Sequence, residues 1–297
     1  MITIRKVLAA AVLIQGLIAA EARGPLRVYP ENPRYFTDGS GRPVYLTGSH
    51  TWQNLQDLGP SNPPPVFDYD RYLDVMEKHG HNFMRLWRYE LVKWVGWRGT
   101  GGGDWFASHH PWKRTGPGLA ADGLPKFDLK QLDPAYFVRL RQRVEAAGKR
   151  GIYVAVMLFE GICFRSKATD WHGHPVHPSN NINGIDGDAD GDGKALEVQS
   201  FAIPAIVEIH RDYVRRVIDT VNDLDNVLYD ISNESLFTPV IVDWQEKMIG
   251  FINEHQARMP KRHPVGMTNL VAYGNGPPKE AANHALFASS ADWVSPG

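Results

Sequence analysis

The sequence predicts an α/β fold, a (β/α)8 barrel of the TIM type, with the 297 residues ending at about the sixth of its eight strands. Three observations lead there. Short apolar runs rich in β-branched residues alternate with segments of helical spacing along most of the chain, which implies a parallel sheet flanked by helices. Residues able to do chemistry follow one apolar run after another: His50 and Trp52, then Arg85, Trp87 and Glu90, then Glu160, then Asn233 and Glu234. A barrel collects such strand ends into one ring. Finally, no Gly-x-Gly-x-x-Gly follows the first strand and no Gly-x-x-x-x-Gly-Lys occurs, so the nucleotide-binding open sheet has no phosphate cradle here.

Residues 34–48 read as a hairpin whose Asp38-Gly39-Ser40-Gly41 turn leads into the first barrel strand, residues 44–47. Helical spacing over 69–79 precedes a second strand at 82–86. Residues 134–150 form a helix with Asp133 as N-cap and Pro134 in its first position. A third strand at 152–159, a helix at 202–223, a fourth strand at 227–231 and a helix at 243–258 follow. Strands at 265–268 and 293–295 complete the series. The connections at 87–132 and 160–201 exceed the usual loop length; they carry Trp94, Trp97, Trp105, Trp112 and Trp171 and read as walls of a cleft.

Composition narrows the partners. Lys+Arg 32 against Asp+Glu 33 gives a net charge of -1, which supplies neither the basic field that nucleic acid needs nor a polybasic face for a membrane. Trp 9 and Tyr 11 offer flat faces suited to stacking on sugar rings. Residues 1–22 read as a secretory signal: Arg5 and Lys6, an apolar stretch at 7–20, then Ala20-Glu21-Ala22 as a small-x-small cleavage site. The alternative is an uncleaved N-terminal anchor. Residues 23–297 then form one exported domain, secreted or periplasmic, with no membrane association after cleavage. Its single cysteine, Cys163, has no internal disulfide partner.

The most informative segment is Asn226-Val227-Leu228-Tyr229-Asp230-Ile231-Ser232-Asn233-Glu234, an apolar strand ending in an Asn-Glu pair. With Asn82-Phe83-Met84-Arg85-Leu86-Trp87, it resembles the (β/α)8-barrel glycoside hydrolases of the cellulase-like superfamily, whose fourth strand ends in Asn-Glu. The resemblance implies Glu234 as general acid/base, Asn233 on the sugar hydroxyl beside the reacting carbon, and Arg85 holding the nucleophile carboxylate. That nucleophile would end the seventh strand, beyond residue 297. Glycoside hydrolysis needs two carboxylates, about 5 Å apart for retention of configuration, and the acid must keep its proton near neutral pH.

Other readings of the same residues stay open. Glu234 could cap the next helix or pair with an arginine, Arg85 could form a structural ion pair inside the barrel, and His50 could be structural. His50, Trp52, Trp87 and Glu160 are read as substrate-binding, with Glu160 standing where many members of the resembled clan carry His. No organic cofactor is implied. Asp186, Asp188, Asp190, Asp192 and Glu197 match positions 1, 3, 5, 7 and 12 of a calcium loop with Gly191 at position 6, which predicts a structural Ca2+; a solvated Asp/Gly turn is the alternative. His172, His174 and His177 suggest a weaker transition-metal reading and a metal-dependent hydrolase. The expected function is a secreted glycoside hydrolase acting on a poly- or oligosaccharide, the alternative a carbohydrate-binding barrel without catalysis.

Overall fold

The computed structural model describes residues 21–94, 103–164, 170–272 and 279–296. The predicted signal therefore lies almost wholly outside the described residues, as does Trp97. Ala22, at the expected cleavage site, donates its N–H to the Gly148 carbonyl at 2.9 Å. Among the described residues no helix is long and apolar enough to cross a membrane.

Three short strands, β1 (Arg27–Val28), β2 (Phe36–Thr37) and β3 (Pro43–Val44), form an antiparallel sheet. The hairpin is thus present, but the expected first barrel strand is displaced. Val44 pairs back onto Phe36, and the first parallel contact with the barrel sheet is the bridge between Gly48 and Phe83. Gly48 is required there, since a Cβ would lie 1.7 Å from the Phe83 carbonyl oxygen.

After β4 (Leu58–Gly59) comes α1 (Tyr69–Lys78), whose Asp68 carboxylate accepts the Arg71 N–H and whose buried stripe is Tyr69, Leu73 and Met76. Next in the chain are β5 (Phe83–Leu86), β6 (Lys93–Trp94), β7 (Trp105–Ala107), β8 (Trp112–Leu119) and β9 (Pro125–Leu132). Helix α2 (Pro134–Gly148) starts as expected, with Asp133 accepting the Ala135 N–H at 3.0 Å. Then come β10 (Tyr153–Glu160), α3 (Pro204–Val221), β11 (Val227–Asn233), α4 (Pro239–Gln256), β12 (Val265–Thr268), α5 (Lys279–Phe287) and β13 (Trp293–Ser295). Helix α4 begins four residues before the expected start because Thr238 caps it and Pro239 fills its first turn.

Strands β5, β10, β11, β12 and β13 pair in parallel and in sequence order, giving a curled sheet, a half-barrel, with helices outside. Every residue of β10 and β11 is buried, as expected of strands covered on both faces. The main core lies between sheet and helices and is built from residues such as Leu86, Val156, Phe159, Tyr229, Ile231, Trp244 and Ile252.

A second core lies under the two long connections. Strands β4, β7 and β6 form one small antiparallel sheet there, β8 and β9 another, and Trp87, Trp94, Trp112, Phe127 and Trp171 pack beneath them. This corrects the sequence expectation. Trp94, Trp112 and Trp171 are core residues, 6%, 2% and 3% exposed, because the connections fold into a packed layer rather than into loose cleft walls.

Candidate active site

The parallel strands bring Arg85, Glu160, Asp230, Asn233 and Thr268 to one end of the sheet. Arg85 on β5 donates from Nε and Nη2 to Asp230 Oδ2 at 2.8 and 2.5 Å, and from Nη1 to Asn233 Oδ1 at 3.0 Å. Thr268 Oγ1 lies 3.3 Å from Arg85 Nη2, and its one hydroxyl hydrogen is shared between the Ser232 carbonyl at 3.0 Å and Asp230 Oδ1 at 3.2 Å. Asp230 is wholly buried, so this ion pair is held away from water, and its partners satisfy both carboxylate oxygens. Arg85 thus has a carboxylate partner on the fourth strand, which is the structural-pair alternative left open above.

Asp230 and Asn233 both meet Arg85 although they are three positions apart, an odd offset, so the two-residue alternation of β11 breaks between them. Strand β10 breaks in step. Met157 and Glu160 face this cluster, while Leu158 and Phe159 both pack into the helix-side core. The offset aims Asn233 into the barrel rather than at the helices. Glu234 follows it, half-buried, with a left-handed backbone at φ 52. A glutamate in that region carries strain, a feature that concentrates at functional sites. Gly161 allows the close approach of the two strand ends, because a Cβ on it would lie 2.4 Å from the Ser235 Cα.

Asn233 Nδ2 donates to Glu160 Oε1 at 3.1 Å, and the Trp87 indole donates to Glu160 Oε2 at 3.1 Å. Burial pushes the Glu160 carboxyl up; the Asn233 bond opposes this, while Glu234 and Glu90 add to it, and the result is about 8. Behind it, Glu90 accepts the Glu160 backbone N–H at 2.8 Å and lies 2.6 Å from His174 Nε2. Burial raises the Glu90 carboxyl as well, but Arg88 and His174 outweigh it and hold it at about 2. Glu160 is 1% exposed, and both its oxygens are engaged by protein donors.

His50 stacks on Trp87 with ring centroids 5.1 Å apart and 13° between planes, and Trp52 lies 6.4 Å from the same indole. Burial, then the Arg85 charge, lowers the His50 pKa, so the ring is neutral at neutral pH. Asn54, which the sequence reading missed, clamps this strand end: its amide donates to the Arg85 carbonyl and accepts the Trp87 N–H, each at 2.7 Å. Asp230 and Thr268 were missed too. An aspartate inside the apolar run of β11 was the one visible signal for Asp230.

Of the five expected calcium ligands, three converge. Carboxylate oxygens of Asp188, Asp190 and Glu197 lie within 4.8 Å of one another. Asp186 accepts the Asp188 N–H at 3.0 Å, and the Asp192 carboxylate pairs with Lys194. Gly191 has φ 74, as a sharp turn at that position requires. The three histidines do not gather into a site; His174 is buried against Glu90, and His172 and His177 contact each other ring to ring at 4.8 Å.

The half-barrel, with chemistry-bearing residues at its carboxyl strand ends, is similar to part of the fold of solved family 5 glycoside hydrolases. One similar solved structure is a mutant of a family 5 mannosidase from Rhizomucor miehei in complex with mannosyl-fructose. It has 14% identity and a TM-score of 0.53, over 91% of this chain and 60% of that one. Another is endo-glycoceramidase II from Rhodococcus sp. as a lactosyl-enzyme intermediate, at 18% identity and a TM-score of 0.50, over 80% of this chain and 52% of that one. These likenesses show the fold, and the chain spans little more than half of either structure. By sequence the chain belongs to the family described as "Domain of unknown function (DUF6298)", whose profile matches residues 100–269. No curated protein matches it.

Proposed function

We propose that the protein is an exported glycoside hydrolase, secreted or periplasmic, that cleaves a poly- or oligosaccharide by a two-carboxylate, retaining mechanism. Glu234 acts as the general acid/base, Asn233 contacts the sugar hydroxyl beside the reacting carbon, and Arg85 holds the charge balance of the cleft floor. His50 and Trp52 form the aromatic side of the sugar site, with the buried Trp87 stacked against His50 as its support. The mechanism needs a second carboxylate, which the resemblance assigns to the end of a later barrel strand.

One observation carries this reading. Glu234 stands at the carboxyl end of β11 in a left-handed backbone, directly after an asparagine whose amide is fixed from both sides by Arg85 and Glu160. An acid in such a place, partly withdrawn from water, is what glycoside protonation needs. A structural calcium ion on the Asp188, Asp190 and Glu197 carboxylates belongs to the same proposal, supported by their convergence and by the preference of calcium for hard oxygen donors.

A non-catalytic carbohydrate-binding barrel is favoured by one fact: among the described residues, the other strand-end glutamate, Glu160, is buried and fully bonded. The two readings separate when the full-length protein and its Glu234→Gln variant are tested on a panel of glycosides. Hydrolysis lost in the variant supports the enzyme; sugar binding without turnover by the wild type supports the binder.

A further inference from the structure

Glu160 is the best-connected polar group of the site, and the function above gives it no task. It stands opposite Asn233 in the β10–β11 register. Its backbone N–H is taken by Glu90 at 2.8 Å, and its carbonyl accepts the Cys163 thiol at 3.2 Å. Its side chain therefore starts from a fixed point.

Donor chemistry then settles what the carboxyl group does. A guanidinium and an indole N–H can only donate. Arg85 Nη1 must therefore take the Asn233 carboxamide by its oxygen, which turns the amide nitrogen toward Glu160. The Trp87 indole needs an acceptor as well, and the second carboxyl oxygen supplies it. One buried carboxyl group thus locks two neighbours, from the second and fourth strands, on either side of the third.

We propose that Glu160 is a positioning residue: it fixes the Asn233 carboxamide and the Trp87 indole, and through Asn233 sets how the adjoining Glu234 meets the sugar. The consequence for catalysis rests on the glycosidase reading; the positioning itself does not.

The titratable groups around Glu160 are Tyr89 and Glu90 from the segment after β5, Cys163 from the turn after β10, and Glu234 from the end of β11. Burial, opposed by the Asn233 bond and reinforced by Glu234 and Glu90, keeps the proton on the carboxyl group to about pH 8. A neutral carboxyl group can still accept from both N–H donors, and an ionised one accepts more strongly. Its grip on Trp87 and Asn233 therefore tightens as it ionises.

The test is an NMR titration of the indole N–H of Trp87, assigned with Trp87→Phe, and of the Asn233 carboxamide. In the wild type both signals should move together with a midpoint near pH 8. In Glu160→Gln the side chain must turn its own NH2 toward one of the two donors, so one contact breaks and the titration disappears. Glu160→Asp retains a carboxyl group and should retain a titration of these signals, which decides the matter if the Gln variant fails to fold. Signals that are unchanged in Glu160→Gln would overturn the proposal.

On any glycoside the wild type cleaves, Glu160→Gln should lower kcat by about tenfold to a hundredfold, as loss of a buried hydrogen bond implies, with little change in KM. A raised KM at unchanged kcat would mean direct sugar contact and would also overturn it. If no glycoside is cleaved, the glycosidase reading fails while the titration still decides the positioning.

Discussion

Replacing Glu160 by Gln should make the protein less sensitive to rising pH. The carboxyl group has its ordinary value at 4.5 in the unfolded chain and about 8 in the fold. Between those values the folded state holds a proton that the unfolded chain has released. Stability from this group is therefore present in full at low pH, falls as pH rises from about 4.5, and levels off above about 8. At about 1.4 kcal/mol per pH unit the span amounts to roughly 5 kcal/mol, a ceiling that any local relaxation around the ion reduces. Gln keeps the shape without the titration, and its lost hydrogen bond adds an offset that does not depend on pH. The assay is urea unfolding of both proteins at a series of pH values, followed by tryptophan fluorescence. The difference in unfolding free energy should drift by several kcal/mol in favour of Gln as pH rises through this window. A difference that stays constant would refute the buried, protonated carboxyl group.

Three further outcomes follow from the packing. Asp230→Asn leaves the Arg85 charge without its buried partner and should cost about 3–5 kcal/mol in chemical denaturation, whereas Arg85→Met combined with Asp230→Leu should restore much of the loss. Trp112→Ala should destabilise by about 3–5 kcal/mol while leaving sugar affinity, measured by calorimetry, unchanged, because Trp112 lies in the second core. Calcium should raise the melting temperature of the wild type but not that of a variant carrying Asp188→Asn and Glu197→Gln; equal shifts in the two proteins would remove the ion from the loop.

Much of the framework was legible in the sequence, for reasons that particular elements make clear. Strands β10 and β11 are buried on both faces, so their apolar runs announced them, and Asp133-Pro134 marked the start of α2. The second core was not legible. Strands β4, β6 and β7 are two or three residues long, too short for any period to register, and a tryptophan count cannot tell a cleft wall from a core. Helix α5 was missed as well, its nine residues between the fifth and sixth barrel strands carrying a buried pair, Ala282 and Leu286, too small to register as a stripe.

The site divides in the same way. Glu234, Asn233 and Arg85 could be named because each ends or occupies a recognisable strand. Their partners could not, because the bonds join residues far apart in the chain: 145 positions separate Arg85 from Asp230, and 73 separate Trp87 from Glu160. The phase break in β11 also defeats simple alternation, which would have turned Asn233 and Asp230 to opposite faces. In the Asp-rich loop the pattern named five ligands, and the carboxylates of three of them, Asp188, Asp190 and Glu197, converge.

The central claim is that Glu234 delivers a proton to a departing glycosidic oxygen, and leaving-group dependence tests it most directly. Turnover by the full-length protein and by Glu234→Gln should be compared on one sugar bearing either a nitrophenyl or an alkyl leaving group. Acid catalysis predicts a loss of about a hundredfold to ten-thousandfold on the alkyl glycoside and a much smaller loss on the nitrophenyl one, which departs without a proton. Equal losses on both, or none on either, would contradict it.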